Sequence, residues 1–96
     1  MYAAVRRYEG INDDDEAARL VRDSFMPQLE KVQGFVAYYW IDAGDGLMAS
    51  LSVFEDKAGA DESVKFAHKW IEENAPNLFP NPPEVTEGFV VASDTR

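Results

Sequence analysis

The order of segments in this chain predicts an α+β fold, a ferredoxin-like β-α-β-β-α-β arrangement with an antiparallel sheet. Three observations lead there. A central pair of apolar runs, Phe35–Ile41 and Leu47–Phe54, brackets the turn-forming stretch Asp42-Ala-Gly-Asp-Gly46 and reads as a β-hairpin. A helix-type pattern lies on each side of that hairpin, and a strand-type segment closes each end of the chain. Two helices cover only one side of such a sheet, so the other side needs a partner if it is apolar.

The first strand runs from Tyr2 to Glu9 and is closed by Gly10. The run Asn12-Asp-Asp-Asp-Glu16 supplies a helix start, because Asn or Asp caps the free N–H groups and further carboxylates suit the positive helix terminus. Ala17, Leu20, Val21, Phe25 and Leu29 recur at helical spacing and predict a buried stripe. Pro27 interrupts it and predicts a kink or an early stop near Met26. Gln33-Gly34 ends the segment.

In the hairpin, a five-residue connection pairs Ile41 with Leu47, Tyr39 with Ala49 and Ala37 with Leu51. Alternation then puts Phe35, Ala37, Tyr39, Ile41, Leu47, Ala49, Leu51 and Val53 on one face. The opposite face carries Val36, Tyr38, Trp40, Met48, Ser50, Ser52 and Phe54. Asp56 is placed to cap a second helix reaching about Asn74, with Val64, Ala67, Ile71 and Ala75 on one side and Phe66 and Trp70 adjacent. Pro76, Pro80, Pro82 and Pro83 keep the next stretch extended, Glu84–Ala92 is the last strand, and Asp94-Thr-Arg96 frays. On this reading Tyr38, Trp40, Met48 and Phe54 lie on the side that the helices leave bare, and a second copy of the chain covers them to make a homodimer.

The 96 residues suit one domain, 1–96, with enough apolar content (46%) for a packed core. A net charge of -9 opposes binding to nucleic acid and to anionic membranes, where affinity depends on neutralising phosphates. No apolar run approaches the ~20 residues that span a bilayer, and the charges of Met1–Arg7 follow its apolar residues, the wrong order for a signal peptide. A cytoplasmic location is the expectation. With no cysteine there is no thiolate ligand or thiol nucleophile, and a single His offers no metal-ligand spacing. No metal site is expected.

The candidate chemistry is concentrated on the strands. Arg6 and Tyr8 share a face with Tyr2 and Ala4. If that face meets Tyr38, Trp40, Ser50 and Ser52, the result is an apolar interior with a few orienting polar groups, as a small-molecule site requires. A buried Arg6 needs a carboxylate or an anionic ligand, and Glu87 is the available carboxylate. His68, the only histidine, is the remaining acid, base or ligand candidate. Its ordinary reading is a half-exposed helix residue, and that of Trp70 is core packing.

The segments Arg7-Tyr8-Glu9-Gly10, Gly34-Phe35-Val36-Ala37-Tyr38-Tyr39, Asp42-Ala43-Gly44, Ser52-Val53-Phe54-Glu55-Asp56 and Asn81-Pro82-Pro83 resemble a small bacterial family of the dimeric α/β-barrel superfamily, beside the antibiotic-biosynthesis-monooxygenase-like domains. The resemblance runs from Tyr2 to about Ala92. It implies a homodimer paired through the sheet face, and relatives that are cofactor-independent monooxygenases of polyketide-type aromatics. Other relatives degrade haem with a first-strand Asn, a helix His on iron and a core Trp. This first strand offers Arg6, Arg7 and Tyr8 and no Asn, so none of those roles is carried over and no cofactor is expected. The expected function is a homodimer that binds or oxidises a small organic molecule, with Arg6, Tyr8, Tyr38 or His68 steadying a substrate anion. The alternative is a non-catalytic dimeric binding or stress-response module.

Overall fold

The computed structural model describes all 96 residues, Met1–Arg96. Strand β1 spans Tyr2–Tyr8, followed by helix α1 (Asp14–Leu20), a π-helical turn (Val21–Phe25) and helix α2 (Met26–Leu29). Strands β2 (Phe35–Gly44) and β3 (Leu47–Phe54), helix α3 (Lys57–Asn74) and strand β4 (Glu84–Phe89) complete the chain. The four strands form one sheet in the order β2-β3-β1-β4, with every neighbouring pair antiparallel. This is the ferredoxin-like order that the sequence predicts. No helix is long and apolar enough to cross a membrane.

Asp13 caps α1 by accepting the Glu16 N–H at 3.0 Å, and Asp14, Asp15 and Glu16 fill the positive first turn. Of the kink or early stop expected near Met26, the stop does not occur, for the helical path continues to Leu29, but the regular α-helix is interrupted just before Met26. Pro27 has no N–H to return to the preceding turn, and Met26 N–H reaches back five residues to Val21 O, as in a π-helix. The wider turn has a packing consequence. Ala17, Val21, Phe25 and Leu29 are four residues apart, and in a regular α-helix each such step overshoots a full turn by about 40°. The π turn holds back that drift, and all four side chains stay buried.

Helix α3 is capped by Asp56, which accepts the Gly59 N–H at 3.0 Å. Its buried row is Gly59, Ala60, Ser63, Ala67 and Trp70, while Val64, expected inside, is exposed. The small residues of that row let α3 approach the sheet closely, which turns Val64 outward.

The hairpin is tighter than the sequence implies. Strand β2 extends to Gly44, and only Asp45 and Gly46 make the turn, both at positive φ (54° and 78°), the geometry that suits a two-residue hairpin. Ile41 therefore faces Ala49, Tyr39 faces Leu51 and Ala37 faces Val53. The shift is two residues, so these residues keep their face. An irregularity between Phe35 and Ala37 moves Phe35 to the other side, where it meets Phe54 edge-on at 6.0 Å and leaves Val36 exposed.

The larger correction concerns which face the helices cover. Met48 and Phe54 are fully buried beneath the helices, and Tyr38 and Trp40 pack with them. The uncovered face is the other one, with Ala37, Tyr39, Ile41, Ala49, Leu51 and Val53 beside Ala3 and Val5. Both faces are apolar enough to be core. Filling the space between sheet and helices takes the bulkier set, the aromatic rings with Met48.

Candidate functional site

The inward face of β1 alternates Tyr2, Ala4, Arg6 and Tyr8, all buried. Two cross-strand rows on that side carry the polar groups. Ser50 pairs with Arg6 on one side and Trp40 on the other, and Ser52 pairs with Ala4 and Tyr38. Ser52 Oγ donates to Ala4 O at 3.4 Å. Arg6, Tyr8, Tyr38, Trp40, Ser50 and Ser52 therefore face one interior between the sheet and the helices.

The helices and the proline-rich connection close it. Phe25, on the π turn, lies 5.5 Å from the Tyr38 ring, stacks on Phe66 at 5.3 Å and meets Trp70 edge-on at 5.2 Å. Trp70 Nε1 donates to Ser24 Oγ at 3.0 Å, which joins α3 to the π turn. From the connection between α3 and β4, Phe79 packs against Tyr8 at 5.3 Å and Trp40 at 6.0 Å, while Tyr8 and Trp40 lie 5.6 Å apart. Arg6, Val21, Ala67 and Ile71 complete the walls. The free space is about 20 Å³, enough for one water-sized molecule.

Arg6 dominates the electrostatics of this chamber. It is only 5% exposed, takes part in none of the ion pairs, and its Nη2 has no hydrogen-bond partner. Trp40 Nε1 is the other buried donor without a partner. Glu87, expected to neutralise Arg6, instead accepts the Tyr2 hydroxyl at 3.2 Å near the sheet edge. Its register explains this, because Glu87 faces Ala4 and the residue opposite Arg6 is Val85. Burial pushes both the Tyr38 and Tyr8 hydroxyls above the ordinary tyrosine range; the Ser50 hydroxyl beside Tyr38, and Arg6 beside both, act in the opposite sense. Both rings are neutral donors near neutral pH.

His68 lies outside the chamber. Its side chain is 78% exposed, and Nε2 is 3.1 Å from Glu72 Oε1 one turn along α3. It borders an outer cleft of about 230 Å³ with Glu72, Asn81, Pro82 and Pro83. Tyr8, Ile71 and Phe79 line both the chamber and this cleft and form the wall between them. A roomier groove of about 380 Å³, at Val32, Gln33, Asp56 and Glu62, has none of the aromatic lining and includes the α3 cap. No group of three or more His, Cys, Asp or Glu side chains is gathered to hold a metal ion.

Sequence reasoning missed Phe79 and Phe25 as chamber walls. The available signal for Phe79 is an apolar pair, Leu78-Phe79, standing between Pro76 and Pro80 where a solvated loop would be polar.

No protein-family model matches the chain, and no curated protein matches it. Solved structures do. A protein of unknown function from Nitrosomonas europaea superposes with a TM-score of 0.80 at 19% identity, covering 99% of this chain and 93% of that one. A monooxygenase from the ActVA-Orf6 gene of Streptomyces coelicolor, in complex with nanaomycin D, superposes at 0.75 and 14% identity, covering 99% and 91%. An antibiotic biosynthesis monooxygenase superposes at 0.72 and 16% identity, covering 96% and 100%. These likenesses show the fold: the chain is a ferredoxin-like α+β protein with the architecture of the antibiotic-biosynthesis-monooxygenase-like proteins.

Proposed function

We propose that this protein is a homodimer that binds a small organic molecule in the chamber between its sheet and helices. The observation that carries the reading is Arg6: a guanidinium buried among aromatic rings, with Nη2 unpaired, is costly to fold around unless a ligand completes it. Tyr8, Tyr38 and Trp40 supply apolar walls with polar tips. Ser50 and Ser52 are buried on the same strand face, between these residues, and do not themselves line the free space. As an enzyme, it would oxidise an electron-rich ligand with molecular oxygen and no bound cofactor. The Streptomyces coelicolor monooxygenase of the same fold, which holds nanaomycin D, supports that form of the reading. His68, on the outer cleft, belongs to the approach to the chamber rather than to its floor.

A second reading, a non-catalytic dimeric binding or stress-response module, draws on how little free space the chamber has. Native mass spectrometry of gently purified protein separates the two. A dimer carrying a retained organic compound is the expected result, and that compound, supplied with oxygen, is the substrate to assay. A bare dimer that consumes no oxygen with any aromatic candidate favours the second reading.

A further inference from the structure

Two buried N–H donors lack partners, and they stand in one row of the sheet. Arg6 and Trp40 are the two cross-strand neighbours of Ser50, and both line the same chamber. No carboxylate enters that chamber, since its remaining walls are Tyr8, Tyr38 and apolar side chains. One uncompensated positive charge therefore faces an otherwise apolar space, with a neutral N–H donor two strands away.

We propose that the ligand is an organic monoanion, its two-oxygen acid group received by Arg6 Nη2 and Trp40 Nε1 above Ser50. The inference rests on the chamber being the ligand site. A neutral ligand would satisfy the donors and leave the charge, and a dianion would bring a second charge that nothing in the chamber balances. A carboxylate supplies two acceptor oxygens and one negative charge, which matches a guanidinium and an indole N–H together.

The body of such a ligand does not fit the free space of about 20 Å³, but the outer cleft of about 230 Å³ lies directly behind Tyr8, Ile71 and Phe79. Of these, Phe79 is the wall that moves. It sits on a connection without helix or strand, where four prolines remove backbone donors. That connection is tied back by Leu78 N–H to Ala75 O at 3.2 Å and Asn81 Nδ2 to Glu9 O at 3.2 Å. Swinging Phe79 aside joins cleft and chamber, so the acid group reaches Arg6 while the ligand body lies beside His68.

The test is calorimetric titration of the full chain with benzoate and with its neutral counterpart benzamide. Benzoate binds about tenfold or more tightly than benzamide, the scale of one charge-assisted hydrogen bond. Arg6→Gln abolishes the preference, because the charge that selects the acid over the amide is gone. Trp40→Phe, which keeps an aromatic ring and deletes the N–H, narrows it several-fold and carries the test if Arg6→Gln does not fold. Phe79→Ala speeds the association of both compounds, followed by stopped-flow tryptophan fluorescence. Equal binding of acid and amide, or an acid preference untouched by both Arg6→Gln and Trp40→Phe, overturns the anion inference and leaves a ligand chamber standing. If neither compound binds the wild type or Phe79→Ala, the chamber reading falls with it.

Discussion

At the scale of single residues, Ser50 and Tyr38 test the chamber most directly. Ser50 is 1% exposed and stands between Arg6 and Trp40. Ser50→Leu pushes extra carbon into a packed space, which costs about 1–3 kcal/mol of stability. It also crowds Arg6 and Trp40 on either side, so ligand binding is lost while the dimer persists; unchanged binding in calorimetry would put the site elsewhere. Tyr38 gives a pH handle. Burial raises its pKa above the ordinary value of 10.0, so folding favours the neutral ring. The unfolded chain ionises once pH passes about 10 while the folded chain resists. The stabilisation is therefore complete below that pH and lost as pH climbs from there through the folded pKa. Tyr38→Phe flattens this alkaline limb of a denaturation-versus-pH curve; an identical limb in both proteins assigns the effect to another group. The grouping of Arg6, Tyr8, Tyr38, Trp40, Ser50 and Ser52 was legible in the sequence because strand periodicity is two and needs no tertiary knowledge. His68 was legible as a helix residue open to solvent, but the cleft it borders was not. Position on a helix face says which way a side chain leaves its own axis, and the proline-rich connection decided what lay opposite it.

At the scale of elements, local chemistry and packing compete at Gly59. Ala is the better helix former by about 1 kcal/mol, and Gly59 has no positive φ that would require glycine. Yet a Cβ there would stand 2.6 Å from Gln33 O, a backbone atom, and 3.1 Å from Phe54 Cδ1. Overlap of that kind costs about 1–3 kcal/mol and wins, because neither the capped start of α3 nor the loop before β2 yields easily. Gly59→Ala therefore lowers the urea midpoint; a raised midpoint would show that the two segments separate freely. The caps, the buried spacing of the first helix and the existence of the hairpin were readable in advance, while the buried row of α3 and the hairpin pairing were not. Pro27 was read as a kink or an early stop near Met26, and an irregularity does fall there; its form, a π turn that accommodates the proline and keeps Phe25 above Tyr38, was not legible from an i→i−4 pattern. The bulge at Phe35/Ala37 was invisible for a similar reason, since strict alternation carries no mark of an inserted residue.

At the scale of the whole molecule, the question is what covers the outer sheet face. Alternation sorted the two hairpin faces but did not orient them, as each was apolar enough to be core. The structure leaves Tyr39 57%, Ile41 50% and Val5 45% exposed. A second copy laid sheet to sheet is the proposed cover, and its energetics make a distinctive prediction. Four strands about 4.8 Å apart, 7, 10, 8 and 6 residues long, present a footprint of roughly 500 Å², below the roughly 800 Å² per partner of a standard stable interface. The contact must therefore draw in groups beyond the four strands; Phe89, 71% exposed, is no help, since it stands opposite the inward-facing Tyr2 and points to the other side of the sheet. Each chain carries -9, so a dimer holds twice that, -18, and like-charge repulsion opposes a contact that is apolar apart from Arg7 and Glu84 on the same face. Raising the salt concentration screens this repulsion, whose range is about 10 Å at 0.1 M, and leaves apolar burial intact. Dimer dissociation measured by analytical ultracentrifugation should therefore weaken as salt is added, the reverse of an interface held by ion pairs. Tyr39→Glu, placed where the monomer already meets water, should yield a folded monomer with an undisturbed chamber. A wild-type particle of one chain's mass, or a Tyr39→Glu protein that remains dimeric, would remove the sheet face as the interface.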